Sequence, residues 1–139
     1  MQTLLLKFLI LVDLIIRREL QELCLYLMIL MKVIWQESVQ HDIETAFLDG
    51  LVRFGEKVAK RFFAHIWDYD ARLATFPYMG KVEYFLSGSS KEYRSLVVHN
   101  HYKLIYRVSE VEDTVYVVAL WDTRRNPQDM DADLSAENE

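Results

Sequence analysis

Tyr102-Lys103-Leu104-Ile105-Tyr106-Arg107-Val108, a polar turn at Ser109 to Asp113, and then Val115-Tyr116-Val117-Val118-Ala119-Leu120-Trp121 read as two successive strands. Aromatic and β-branched residues dominate both runs, and successive side chains of a strand point to opposite faces. Tyr102, Leu104, Tyr106 and Val108 therefore share one face, while Lys103, Ile105 and Arg107 share the other. Tyr93-Arg94-Ser95-Leu96-Val97-Val98 lies just upstream, across the turn His99-Asn100-His101, and adds a strand to the meander. The tyrosine face is expected to be core. The other is expected to stand open with cations in a row, an arrangement that holds only where water or an anionic partner meets them.

Upstream of the meander the hydrophobic period changes. Lys32 to Gln36 reads as a short strand, and Ser38 is the expected N-cap of the helix that follows, with Asp42 in its first turn. Val39, Ile43, Phe47 and Leu51 recur at every fourth position, which makes one stripe of an amphipathic helix ending near Phe54-Gly55. A second helix carries Val58, Phe62, Ile66, Tyr69 and Leu73 on one side, with Lys57, Lys60, Arg61, Asp68 and Arg72 mostly away from it. Pro77 stops it, because the residue before a proline is pushed out of helical geometry, and Gly80 adds a turn. The order is β-α-α-β-β-β. Helices segregated from strands imply an α+β fold, a helical hairpin packed on one face of a small, mostly antiparallel sheet.

The flanks differ from this body. Residues 1–30 form an apolar helical extension interrupted by Lys7, Asp13 and the polar stretch Arg17 to Glu22, too broken to span a bilayer. It has neither the basic start nor the small-residue cleavage site of a secretory signal. A membrane-surface or oligomerising helix is one reading. The preferred expectation is that Met31 is the physiological start, since Met31-Lys32-Val33-Ile34-Trp35 opens a self-contained domain over residues 31–128. Residues 129–139 hold five acids and no base, and are expected to be a flexible tail lying over the cationic face.

Charge bounds the function. The chain of 139 residues carries 16 Lys and Arg against 21 Asp and Glu; with three of each sign in residues 1–30 and five acids in the tail, the body holds 13 of each. A neutral body argues against nonspecific grip on nucleic acid, which needs many phosphate contacts. One cysteine, Cys24, excludes an internal disulfide framework and fits a reducing, cytoplasmic setting. No phosphate loop, nucleophile elbow, HExxH pair or EF-hand loop is present, so no metal and no cofactor is expected. The candidate binding residues are Arg107, Arg124 and Arg125, the last two at a strand end beside Asn126-Pro127. Glu110 or Asp113 is the alternative partner for Arg107. His99 and His101, at a hairpin tip, are expected to be solvated.

Residues 31–128 resemble the RelE/ParE superfamily, toxins of bacterial type II toxin-antitoxin modules often described as plasmid stabilisation proteins. The resemblance rests on Lys-Val-Ile-Trp at 32–35, the helix pair, Phe76-Pro77-Tyr78-Met79-Gly80, Tyr93-Arg94, the run 102–108 and Trp121-Asp122-Thr123-Arg124-Arg125-Asn126-Pro127. It implies a growth-inhibiting toxin neutralised by a cognate antitoxin that wraps its active face. Two mechanisms divide the superfamily: RelE-like endoribonucleases cut messenger RNA in the ribosome, and ParE-like members poison DNA gyrase without catalysis. For the nuclease, the resemblance puts Arg94, Lys103 and Arg124 at the catalytic cations. The second basic position of the first such strand falls on Leu96, however, and the late tyrosine position falls on Met130. Neither can carry a proton, and a lysine that titrates near about 10.4 is a poor base at neutral pH. The reading leans to gyrase inhibition, with the nuclease as alternative and an attenuated antitoxin-binding member third.

Overall fold

The computed structural model describes residues 2–137, with the side chains of residues 2, 3, 24–29, 136 and 137 left aside. The Cys24 side chain and the last two residues of the acidic tail therefore fall outside what is described. The chain divides into two units, Met1–Leu30 and Met31–Glu139. In the first, helix α1 (Gln2–Ile29) carries exposed i,i+4 ion pairs, Arg17 to Asp13 at 3.1 Å and Arg18 to Glu22 at 3.4 Å. Such pairs add only a few tenths of a kcal/mol, roughly 0.3–0.5 each. No helix among the described residues is long and apolar enough to cross a membrane.

The second unit is the expected α+β fold with two additions, a two-residue strand and a helix after the sheet. Strand β1 (Lys32–Trp35) leads into α2 (Glu37–Phe54) and α3 (Glu56–Thr75), followed by β2 (Lys81–Val82), β3 (Arg94–His99), β4 (Tyr102–Ser109) and β5 (Thr114–Asp122). A short helix, α4 (Met130–Glu137), follows the sheet. The sheet order is β1-β5-β4-β3-β2, antiparallel except where β1 pairs with β5 in parallel. The first and last strands are thus neighbours, and the hairpin α2–α3 makes the crossover between the β1 edge and the meander.

Alternation along the strands sorts the core. Trp35, Val39, Ile43, Ile66, Tyr69 and Leu73 meet Val98, Leu104, Tyr106, Val115, Val117 and Leu120 in the main core, and Tyr102 and Val108 pack against it. The tyrosine face of β4 is indeed the face under the helices. Trp35 also donates its indole N–H to Asp70 Oδ1 at 2.8 Å, so a buried donor is satisfied where β1 meets α3. At the joint of the two helices Gly55 takes φ +86°, a left-handed conformation that closes α2 with its N–H on Leu51 O and opens α3 without a loop.

Three expectations are corrected. The N-cap of α2 is Gln36, not Ser38: helical geometry begins at Glu37, and Gln40 Nε2 donates to Trp35 O across the junction. The sheet face opposite α2 and α3 is not open, because Ile105, Val118 and Trp121 are covered by Leu86, Tyr93, Met130 and Leu134 in a second small core. The acidic stretch at 129–137 is not a flexible tail. Met130 and Leu134, four residues apart, place two apolar side chains on one side of a helical turn, and burying them orders a segment too short to be helical alone.

Candidate functional site

Lys103 lies in mid-sheet, paired with Val97 on β3 and Trp121 on β5. Its Nζ donates to Glu83 Oε2 at 2.7 Å, and the Glu83 side chain is only 5% exposed. Burial pushes the Glu83 carboxyl up, but hydrogen bonds from Lys103 and Ser95 and the lysine charge outweigh it, holding the carboxyl below its ordinary range. The lysine is therefore the counter-ion of a buried carboxylate, and it would have to leave that partner to act on a substrate. Sequence reading missed Glu83. Its only signal was position: two residues after Lys81, just past a strand too short to show a period.

Arg94 is on the opposite face. It pairs with Tyr106 across β3 and β4, so it shares the side of the sheet that meets the helices. Its Nη1 donates to Gly80 O and its Nη2 to Glu92, both at 2.9 Å, and its guanidinium lies 5.0 Å over the Tyr78 ring. Gly80 is held from two sides, since its N–H also donates to the buried Tyr106 hydroxyl at 2.8 Å. A Cβ at Gly80 would stand 2.7 Å from both Ser95 O and that hydroxyl oxygen, so only glycine fits here. Tyr78 in turn donates to Glu110. Arg107 forms a comparable stack, 4.2 Å over Tyr116, whose hydroxyl donates to Glu112. The aromatic ring, and neither Glu110 nor Asp113, is the partner of Arg107.

The arginine pair after β5 diverges. Arg124 grips Asp122 through Nε at 2.9 Å and Nη2 at 2.8 Å, with its own N–H on the same carboxylate, and these bonds hold the Asp122 carboxyl below its ordinary value. Arg125 lies 4.4 Å over Trp121 and pairs with Asp133 of α4. One arginine thus belongs to the side of the helical hairpin, the other to the side of α4.

Arg124 also rims a cavity of about 310 Å³ between α2, α3 and the β3–β4 turn, lined by Gly50, Val58, Ala59 and Phe62 among others. His99 stands edge-on to Phe62 at 5.3 Å between ring centroids, and His101 is 6.0 Å from it. Partial desolvation, then the charges of His101 and His65, push the His99 imidazole below its ordinary value, so it is neutral at pH 7. The hairpin-tip histidines are therefore not equivalent: His99 packs against an aromatic wall. Val58 was expected in the core but is exposed at the cavity mouth, and Ala59 takes the buried position against Gly50.

The cations singled out from the sequence do not assemble. Arg94 and Lys103 lie on opposite faces of the sheet, Arg124 lies beyond its end, and each already has an internal carboxylate. The residue at the late tyrosine position, Met130, is the first of α4 and is fully buried against the sheet. Among the described residues no group of His, Cys, Asp and Glu is arranged to hold a metal ion.

Residues 33–127 match the profile of a family described as the ParE toxin of type II toxin-antitoxin system, parDE. Among solved structures, the chain is similar to one from P. aeruginosa described as a chromosomal ParDE toxin-antitoxin system. The TM-score is 0.55 at 15% identity, over 67% of this chain and 96% of that one, a likeness of fold. No curated protein matches.

Proposed function

Since this chain belongs to the ParE toxin family of type II toxin-antitoxin systems, we propose that it arrests growth by binding DNA gyrase and is held in check by a cognate antitoxin. Its place of action on this reading is the cytoplasm. The observation that carries the non-catalytic mechanism is the Lys103–Glu83 pair, which commits the one titratable cation among the candidate catalytic groups to a buried carboxylate. Cleavage of RNA through its 2′-hydroxyl needs a group to take a proton, a group to return one, and cations around the same phosphate. Here Leu96 and Met130 carry no proton, and Arg94 faces away from Lys103. Binding asks less of the chain: a shaped surface with charges at its margin. Arg107, Arg124 and Arg125 supply that margin on this reading, each stacked on a ring or paired with a surface carboxylate that an incoming acid can replace.

The test is induced expression of the chain with and without the product of the adjoining small reading frame, followed by a supercoiling assay with purified gyrase. Gyrase inhibition, filamentation and intact messages are expected, all relieved by the neighbour. Messages cut at ribosome-bound sites, with supercoiling unaffected, would overturn the gyrase reading in favour of the nuclease. Absence of any growth defect would overturn it in favour of an attenuated, antitoxin-binding member.

A further inference from the structure

Helix α1 is the part of the chain to which the toxin reading gives no role. It forms a unit of its own, apart from the one that carries the α+β fold. Along residues 4–23 every large apolar side chain except the half-buried Val12 is exposed, from 49% at Ile16 to 76% at Leu4. Apolar surface so continuous marks contact with a protein or with lipid.

The apolar residues are not spread evenly round the helix. At about 100° per residue, Lys7, Asp13, Arg17, Arg18 and Glu22 fall within one half of its circumference. The other half carries Leu5, Phe8, Leu9, Ile16, Leu20 and Leu23, and its one charge is Glu19. Further apolar side chains, Ile10, Leu11 and Leu14 among them, sit between the charges. The width of this surface decides what covers it. A second helix covers a stripe roughly 100° wide and would leave the rest in water. A bilayer interface takes the whole apolar half at once, while the long stems of Lys7, Arg17 and Arg18 let their charged ends reach water beside buried leucines.

Length fixes the depth. The apolar run over residues 4–16 rises only about 20 Å, against about 30 Å for a hydrocarbon core, and Lys7 and Asp13 interrupt it, so α1 does not cross. Charge fixes the lipid preference. Asp13 and Glu22 hold Arg17 and Arg18 at 3.1 and 3.4 Å, and with Glu19 against Lys7 the helix is neutral, so it offers no cation cluster to anionic headgroups. We propose that α1 is an in-plane membrane anchor, seated in the bilayer interface by apolar burial and indifferent to lipid charge, which tethers the attached toxin domain to a membrane surface. This goes beyond the toxin reading and does not depend on it.

Flotation of the full chain with vesicles of phosphatidylcholine alone tests the anchor. The chain is expected to rise with the vesicles, to the same extent when phosphatidylglycerol is added and when salt is raised from about 0.05 to 0.5 M. Hydrogen exchange over residues 4–23 is expected to slow only when vesicles are present. Leu9→Lys with Ile16→Lys puts two charges into the apolar half yet keeps good helix formers, and is expected to lower the partition coefficient by at least about tenfold. The same charge at Val111, 98% exposed in the second unit, is expected to change nothing. A chain that stays with the dense fraction as a monomer overturns the anchor. So does one that stays there as a dimer with residues 4–23 protected, which would assign the helix to a second copy. Loss of binding in Val111→Lys equal to that in the double variant, or a native protein whose first residue is Met31, overturns it as well, and in each case the toxin reading stands.

Discussion

At the scale of single residues, a buried ion pair and a crowded glycine each make a sharp prediction. Removing the ammonium in Lys103→Ala strands the Glu83 carboxylate, and leaving one member of a buried pair unpartnered costs about 3 kcal/mol. The double variant Lys103→Met with Glu83→Gln is expected to recover most of that loss in urea unfolding, because no uncompensated charge remains. The pH dependence has a definite sign. The Glu83 carboxyl titrates lower in the folded protein than in the unfolded chain, so its contribution is present above the unfolded value and is lost as pH falls through the folded one. Melting temperature measured from pH 7 to pH 3 is expected to drop more steeply in the unmodified protein than in the double variant. Gly80→Ala is expected to cost about 3 kcal/mol, because its methyl would press on the Ser95 carbonyl and the buried Tyr106 hydroxyl, neither of which is free to yield. A glycine and a turn were legible at Gly80. The close approach of Tyr106, from 26 residues away, was not.

At the scale of elements, the long periodic segments could be read and the short ones could not. The stripe from Val39 to Leu51 and the one from Phe62 to Leu73 each repeat over several turns, and α2 and α3 lie where those periods place them. Strand β2 has two residues and α4 has eight, lengths at which no period emerges and packing decides. Their stabilities are expected to differ accordingly. Leu104, fully buried where β4 crosses the main core, should lose about 3 kcal/mol on Leu104→Ala. Leu134→Ala should lower global stability by only about 1 kcal/mol, since α4 can open locally without the sheet. Urea unfolding of the two variants, alongside hydrogen exchange confined to residues 130–137, separates local from global loss.

At the scale of the whole molecule, the question is whether the chain works by chemistry or by contact. Lys103→Arg distinguishes these. Arginine keeps the charge opposite Glu83, so growth inhibition through gyrase binding is expected to change by less than about twofold. A nuclease relying on this lysine for proton transfer would lose on the order of 10²-fold or more. Induced-growth curves with immunoblots matched for expression give the answer. From the sequence alone came the class of fold, the helical hairpin, the meander, the core side of β4 and the family, because each is written in local periodicity or in a chain-wide order of motifs. Tertiary structure alone decided which cations face which way and what they touch. The resemblance groups Arg94 with Lys103 as catalytic cations, but the register of β3 on β4 sets Arg94 beside Tyr106 and Lys103 beside Val97, on opposite faces. Register between strands is a long-range choice, and a shift of one residue reverses every side chain, so no local pattern could have revealed it.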